Sequence, residues 1–202
     1  MTREHYLLIL LWMLYYVVHS IGASTSVKDF FNKKLKDEGL YRLIYSLFAF
    51  IALAGILIFQ YSFASPELFS LNKFVFLPVV FGVLPGVIIM IISIKKYFVA
   101  LSGIRHVLGE SEIVELKVNG IHNFVRHPLY SGTILFVWGL FFIFPYLNNL
   151  ICVVLLTLYV WIGVKFEENK LILVFGQQYK DYSYSVPRFI PRLLQGIKKG
   201  SY

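Results

Sequence analysis

Five stretches of this sequence are long and apolar enough to cross a bilayer, and they leave little chain for anything else. A helix needs about 20 mostly apolar residues to span the hydrocarbon core. The five stretches run Tyr6–Ala23, Leu40–Ala64, Phe74–Leu101, Leu129–Pro145 and Leu150–Phe166. None alternates apolar with polar residues as a barrel wall must, so helices are the expected spanning form. The expected fold class is therefore all-α: an integral membrane bundle of five transmembrane helices. The whole of residues 1–202 reads as one domain, with helices one to three in 1–110, a loop and helices four and five in 111–192, and a basic tail in 193–202.

Composition excludes the other classes. Hydrophobic residues make up 58% and charged residues 15%, against about 25% charged in an ordinary soluble domain. That is too apolar to stay disordered. A single cysteine, Cys152, excludes a disulfide scaffold. The third stretch carries Pro78, Gly82, Pro85 and Gly86, which predict a tilt or kink. Only Tyr146, Leu147, Asn148 and Asn149 join stretches four and five, which predicts a tight antiparallel hairpin.

Positive charge predicts the orientation. Lys28, Lys33, Lys34, Lys36 and Arg42 fill the first connection, and Lys95, Lys96, Arg105, Lys117 and Arg126 the third. The chain from Lys165 onward holds Lys165, Lys170, Lys180, Arg188, Arg192, Lys198 and Lys199, so only Arg3 and Lys73 lie elsewhere. With five crossings these segments share one side, read as cytoplasmic, and the N-terminus lies outside. A cleaved signal peptide ending near Gly22–Ala23–Ser24 would reverse that bias for Lys28 to Arg42. The net charge of +8 is read as topology and contact with the anionic bilayer surface, not as nucleic-acid binding.

Polar chemistry concentrates in the two longest non-spanning stretches, Ser102–Pro128 and Glu167–Tyr202. In the first, Arg126 and His127 precede Pro128, a residue suited to the first turn of a helix. Free amides, the positive end of the helix dipole and these two side chains together suit a carboxylate or phosphate. A basic interfacial cap with Tyr130 as aromatic anchor fits the same residues. The second cluster is Glu167 and Glu168, adjacent acids at a C-terminal helix end where the dipole disfavours them. That placement calls for a cationic partner: Arg126, Lys165, or a bound ammonium or sulfonium. The third is Phe175 to Tyr182 followed by Val186 to Pro191. Helix five is expected to continue into it as an amphipathic surface helix that Gly176 ends or bends.

Taken in order, Arg126-His127-Pro128-x-Tyr130-x-Gly132, Glu167-Glu168-x-x-Leu171, Phe175-Gly176-x-x-Tyr179-x-x-Tyr182, Val186-Pro187 and Pro191 resemble the C-terminal half of the isoprenylcysteine carboxyl methyltransferase and phospholipid methyltransferase superfamily. The resemblance covers roughly residues 114 to 192. His19-Ser20, Ala23, Lys28, Tyr41-Arg42, Tyr45 and Ala49, with Tyr159 to Gly163, resemble the branch of methanethiol S-methyltransferases and NnrU-like proteins.

The resemblance implies S-adenosylmethionine as cofactor and methyl transfer as the reaction, at a site facing the cytoplasm. Carried over by position, the cofactor contacts are Glu115, Leu116, Lys117, His122, His127, Tyr130 and Glu167, with Glu168 beside them. His127 and the start of helix four would take the methionine carboxylate, Glu167 its ammonium, and Tyr130 would shape the donor pocket. Glu168, His122, His19 and Arg126 are the candidates for catalytic assistance. The acceptor would be lipophilic or small: a thiol, a prenylcysteine carboxylate or an amino-lipid. Two departures from relatives stand out. His122 replaces a frequent tyrosine, and Gly163 stands where the isoprenylcysteine branch has an arginine implicated at the acceptor. An NADPH-dependent sterol-type reductase and a non-enzymatic membrane protein keeping the fold are the alternatives. The five histidines lack metal-ligand spacing.

Overall fold

The computed structural model describes residues 1–35, 38–71, 74–101, 116 and 118–192. It is helical, with no strand among the described residues beyond an isolated bridge between Glu67 and Tyr146. Helix α1 is Arg3–Gly22, α2 Thr25–Leu35 and α3 Glu38–Gln60. A composite helix α4 runs through Phe76–Pro78, a π segment Val79–Val83, and Leu84–Leu101. A 3-10 turn at Gly120–Asn123 precedes α5, Pro128–Ile143; α6 is Leu147–Phe175 and α7 is Gln177–Ser185.

Among the described residues, four helices are long and apolar enough to cross a membrane: Arg3–Gly22, Leu40–Gln60, Phe76–Lys95 and Leu147–Phe175. The expected fourth span is the exception, because Pro128–Ile143 has 16 residues. Its end is set by Phe144, whose backbone leaves the helical region at φ −121°, ψ 75° just before Pro145, as sterics demand of a pre-proline residue. The expected hairpin forms around that break. Its connection is shorter than the sequence suggested, since Leu147, Asn148 and Asn149 already belong to the first turn of α6.

The kink expected in the third span takes the form of the π segment. Pro85 has no amide hydrogen, and the amide of Leu84 reaches back five residues to the Val79 carbonyl. Glycines then bring α4 and α5 into backbone contact. A Cβ built on Gly86 would lie 2.6 Å from Phe136 N, and one on Gly82 would lie 2.8 Å from the Gly139 Cα. Helices in lipid associate by such close packing of small residues.

The helix α2 falls in the basic first connection. Ser24 Oγ accepts from the Val27 amide at 3.4 Å at its start, and Phe31 stacks on Tyr41 of α3 at 5.2 Å between ring centroids.

Helices α1, α3 and α6 form a second packing unit around Leu8, Trp12, Tyr16, Ile56 and Ile151. Its polar end is a buried network. Gln60 Nε2 donates to Asn149 Oδ1 at 2.9 Å, Trp12 Nε1 donates to Gln60 Oε1 at 3.2 Å, and Asn148 Nδ2 donates to the Gln60 carbonyl at 2.8 Å. Every member finds a partner, as a buried polar group must. The network locks α1 and α3 to the α5–α6 hairpin.

Helix α6 is 29 residues long, about 44 Å at the usual helical rise. No breaker interrupts it after Glu168, so the fifth stretch continues as one helix to Phe175. It stops at Gly176, whose φ of 56° and ψ of −126° suit glycine, and α7 folds back. Tyr179, Tyr182 and Val186 then pack with Leu116, Val118, Leu171, Ile172 and Phe175 as a cap over the start of α5.

Candidate active site

Two short non-helical segments build the floor of the site. The Arg126 amide donates to the Pro187 carbonyl at 2.8 Å and the His127 amide to the Arg188 carbonyl at 3.1 Å. Ser131 Oγ, one turn into α5, donates to the Phe189 carbonyl at 2.8 Å. The tail after α7 is therefore held against the start of α5. His127 sits at the N-cap with extended φ of −121°, and Pro128 begins the helix.

Glu168 is the hub. Arg126 donates to its Oε1 through Nε at 2.9 Å and Nη2 at 2.7 Å. His127 Nε2 shares the same oxygen at 3.1 Å. Arg188 donates to Oε2 through Nε at 2.9 Å and Nη2 at 2.6 Å. Arg126 Nη1 also donates to the carbonyls of Ser183 and Val186. The Glu168 side chain is 8% exposed and that of Arg126 9%. Charge-assisted bonds of this kind are roughly twice as strong as neutral ones. Glu168 thus joins α6, the α5 junction and the tail, and its oxygens are committed to protein donors.

Glu167 differs. Its side chain is 44% exposed, and His127 Nδ1 lies 3.9 Å from its Oε2. Tyr130 lies beside it and packs on His127, with ring centroids 5.8 Å apart. Tyr179 Oη is buried in the same cluster and has no hydrogen-bond partner among the described residues. The site therefore offers an open carboxylate, an imidazole held by its other nitrogen, a tyrosine ring and the first-turn amides of α5.

The structure brings Arg126, His127, Tyr130, Glu167 and Glu168 together. Of the other residues singled out from sequence, Leu116 joins the Tyr179–Tyr182 cap, while Glu115 and Lys117 lie outside the described residues. His122 is buried in the 3-10 turn, where Tyr182 Oη donates to its carbonyl at 2.7 Å. His19 sits apart on α1, against Tyr15, Tyr45 and Tyr159. Lys165 is not the partner of the acids; its Nζ lies 4.9 Å over the Trp161 ring, one turn back on α6. Arg188 is the residue that sequence reasoning passed over. It lies in the third polar cluster, and its only local signal is a single cation between Pro187 and Phe189.

The phospholipid methyltransferase family profile matches residues 77–178, half of the sequence and all of the α5–α6 region. The chain belongs to that family. Methanethiol S-methyltransferase 1 of Bradyrhizobium diazoefficiens is 32% identical over 43% of this chain and 30% of its own length. The methanethiol S-methyltransferase of Crocosphaera subtropica is 26% identical over 86% of this chain and 69% of its own length. A rat protein-S-isoprenylcysteine O-methyltransferase is 35% identical over 51% of this chain and 37% of its own length. The match thus spans about a third of the first and third of these relatives. No solved structure gives a significant match. All three relatives are methyltransferases by name, two of methanethiol and one of protein-S-isoprenylcysteine.

Proposed function

We propose that this chain is a membrane-embedded methyltransferase that uses S-adenosylmethionine, with five crossings, the N-terminus outside and the site facing the cytoplasm. One observation carries the reading: an accessible Glu167 carboxylate lies beside His127 at the N-terminus of α5, inside the region that matches a methyltransferase family. Seventeen of the nineteen Lys and Arg lie on the proposed cytoplasmic side, which supports the orientation.

The donor set fits an amino-acid sulfonium. Glu167 holds the ammonium. His127 and the α5 first turn hold the carboxylate, since amides and dipole there favour an anion. The Tyr130 ring presents a π face suited to a cation. S-adenosylmethionine, when bound, supplies an electrophilic methyl group. The residues around it orient the reactants and exclude water, which is the main requirement for a displacement at carbon. Glu168 acts on His127 by accepting from Nε2, which fixes the ring with Nδ1 toward Glu167. The acceptor is a small thiol, a prenylcysteine carboxylate or an amino-lipid that reaches the site from the bilayer.

The experiment is S-adenosylhomocysteine binding by the detergent-solubilised protein, with NADPH as the comparison ligand. Binding of S-adenosylhomocysteine alone, weakened in both Glu167→Gln and His127→Ala, supports the reading. Unchanged affinity in both variants, or a response to NADPH instead, overturns it. Methyl transfer to thiols, prenylcysteines and amino-lipids then identifies the acceptor.

A further inference from the structure

A cavity of about 220 Å³ lies between α1 and α3, and none of the Glu167–His127 cluster lines it. On α3 its wall runs from Tyr45 through Ala49 and Ala52 to Ile56. From Tyr45 to Ile56 is eleven residues, about 16 Å at the usual helical rise. One leaflet's share of a hydrocarbon core about 30 Å thick is about 15 Å. The cavity is therefore as deep as the acyl-chain zone of one leaflet. It also opens sideways, since Leu14 of α1 and Phe48 of α3 line it and are exposed on the outer face of the helices. At its end Tyr45 Oη donates to the His19 carbonyl oxygen at 2.8 Å and lies 2.9 Å from His19 Nδ1, so the phenol is already paired. The rest of the wall is almost entirely carbon. An unfilled hollow forfeits its dispersion contacts, and a hydrocarbon chain from the surrounding bilayer restores them.

Helix α2 lies just beyond that polar end. Phe31 of α2 stacks on Tyr41 at 5.2 Å, and Tyr41 stacks on Tyr45 at 6.1 Å between ring centroids. Because Tyr45 closes the cavity, α2 sits where acyl chains give way to head groups. Its outer side is open. Phe30 is 64% exposed, and the exposed Lys33 and Lys34, three and four positions on, share its face. Three lysines, Lys28, Lys33 and Lys34, against Asp29 alone leave α2 with a net charge of +2. An aromatic ring beside lysines on a short helix suits the boundary of a bilayer. The ring enters the apolar side, and the ammonium groups reach the phosphates on their flexible stems.

We propose that α1, α2 and α3 together hold one anionic phospholipid, with an acyl chain in the α1–α3 cavity and the head-group phosphate on Lys33 and Lys34 of α2. The lipid belongs to the leaflet on the α2 side. A phosphatidylglycerol meets both halves of the site and carries no amine, so it is a resident lipid of the fold and not a methyl acceptor. The site needs only membrane-spanning helices. It stands whether or not the chain transfers methyl groups.

The test is native mass spectrometry of the full chain in mild detergent, reading the affinity of the first lipid bound. Dioleoylphosphatidylglycerol is the probe, and dioleoylphosphatidylcholine has the same tails without net charge. The unsubstituted protein is expected to prefer the glycerol lipid by about tenfold or more. Ala52→Phe and Ala49→Ile, which fill the cavity from one wall, each weaken both lipids by about tenfold. Lys33→Gln combined with Lys34→Gln weakens the glycerol lipid by about tenfold and leaves the choline lipid unchanged. Ile58→Phe adds bulk at an exposed position of α3 outside the cavity and leaves both lipids unchanged. The lysine variant alters exposed side chains only, so it reports even if a filled variant fails to fold. Unchanged affinity for both lipids in both filled variants overturns the acyl-chain site. Unchanged glycerol-lipid affinity in the lysine variant, or equal affinity for the two lipids in the unsubstituted protein, overturns the head-group contact. A loss in Ile58→Phe equal to that in Ala52→Phe shows an unspecific lipid coat and overturns the whole site.

Discussion

Arg126 Nη2 lies 2.7 Å from Glu168 Oε1, across 42 positions of sequence, and both side chains are almost fully buried. The bond ties the loop before α5 to the end of α6. Removing the charge of Glu168 leaves Arg126 and His127 buried without their anion. Glu168→Gln is expected to cost about 3 kcal/mol, the range seen when one partner of a buried pair is lost. Chemical denaturation in detergent checks it. Arg188, 40% exposed, has water as a substitute, so Arg188→Ala is expected to cost about 1 kcal/mol or less.

Glu167→Gln should behave in the opposite way. Its carboxylate is half open, with Tyr130 beside it and His127 Nδ1 3.9 Å from Oε2. Thermal stability is expected to stay within about 0.5 kcal/mol of the parent, while S-adenosylhomocysteine affinity falls by about tenfold. Calorimetry and thermal unfolding on the same samples separate the two acids. Parallel losses in both variants would show that the acids act as one unit.

Arg126→Lys tests geometry at constant charge. The guanidinium reaches Glu168 and the carbonyls of Ser183 and Val186 together. An ammonium cannot span that fork. The expected cost is about 2 kcal/mol, with the loosened α7 segment more open to proteolysis. A digest that matches the unsubstituted protein would count against it.

Gly86→Leu should separate α4 from α5. A Cβ there already meets Phe136 N at 2.6 Å and the Gly132 carbonyl oxygen at 2.8 Å, both backbone atoms that cannot swing away. Overpacking of this kind costs about 1–3 kcal/mol. Gly163→Leu is the control, since nothing lies within 4 Å of its Cβ position. Unfolding midpoints of the two variants in one detergent decide the point.

Gln60→Leu should unlock the buried network at the other end of the bundle. It strands Trp12 Nε1 and the Asn149 side chain, each of which loses its Gln60 partner. The expected cost is about 1–3 kcal/mol per unsatisfied buried group. Trp12 fluorescence, which senses its environment directly, reports the change alongside stability.

Much of the bundle was legible because hydrophobicity is local. Runs such as Leu40–Ala64 must be helical in lipid whatever surrounds them, and Pro85 and Gly176 announce their own irregularities. The pairing of polar groups was not local. Adjacent acids at 167 and 168 look alike in sequence, yet they lie on different sides of one helix. One is neutralised by Arg126, His127 and Arg188, and the other is left open. Lys165 was as plausible a partner as Arg126 until packing placed it over Trp161.

The amino-acid order alone determined four helices long and apolar enough to cross a membrane, the break at Gly176 and the resemblance at Arg126-His127-Pro128-x-Tyr130, since each depends on neighbours within a few residues. Only the tertiary structure decided which carboxylate is buried among Arg126, His127 and Arg188 and which is half exposed, and that His19 and Tyr45 share a cavity. Those outcomes depend on directional bonds between atoms brought close by packing, and their geometry has no counterpart in the linear chain.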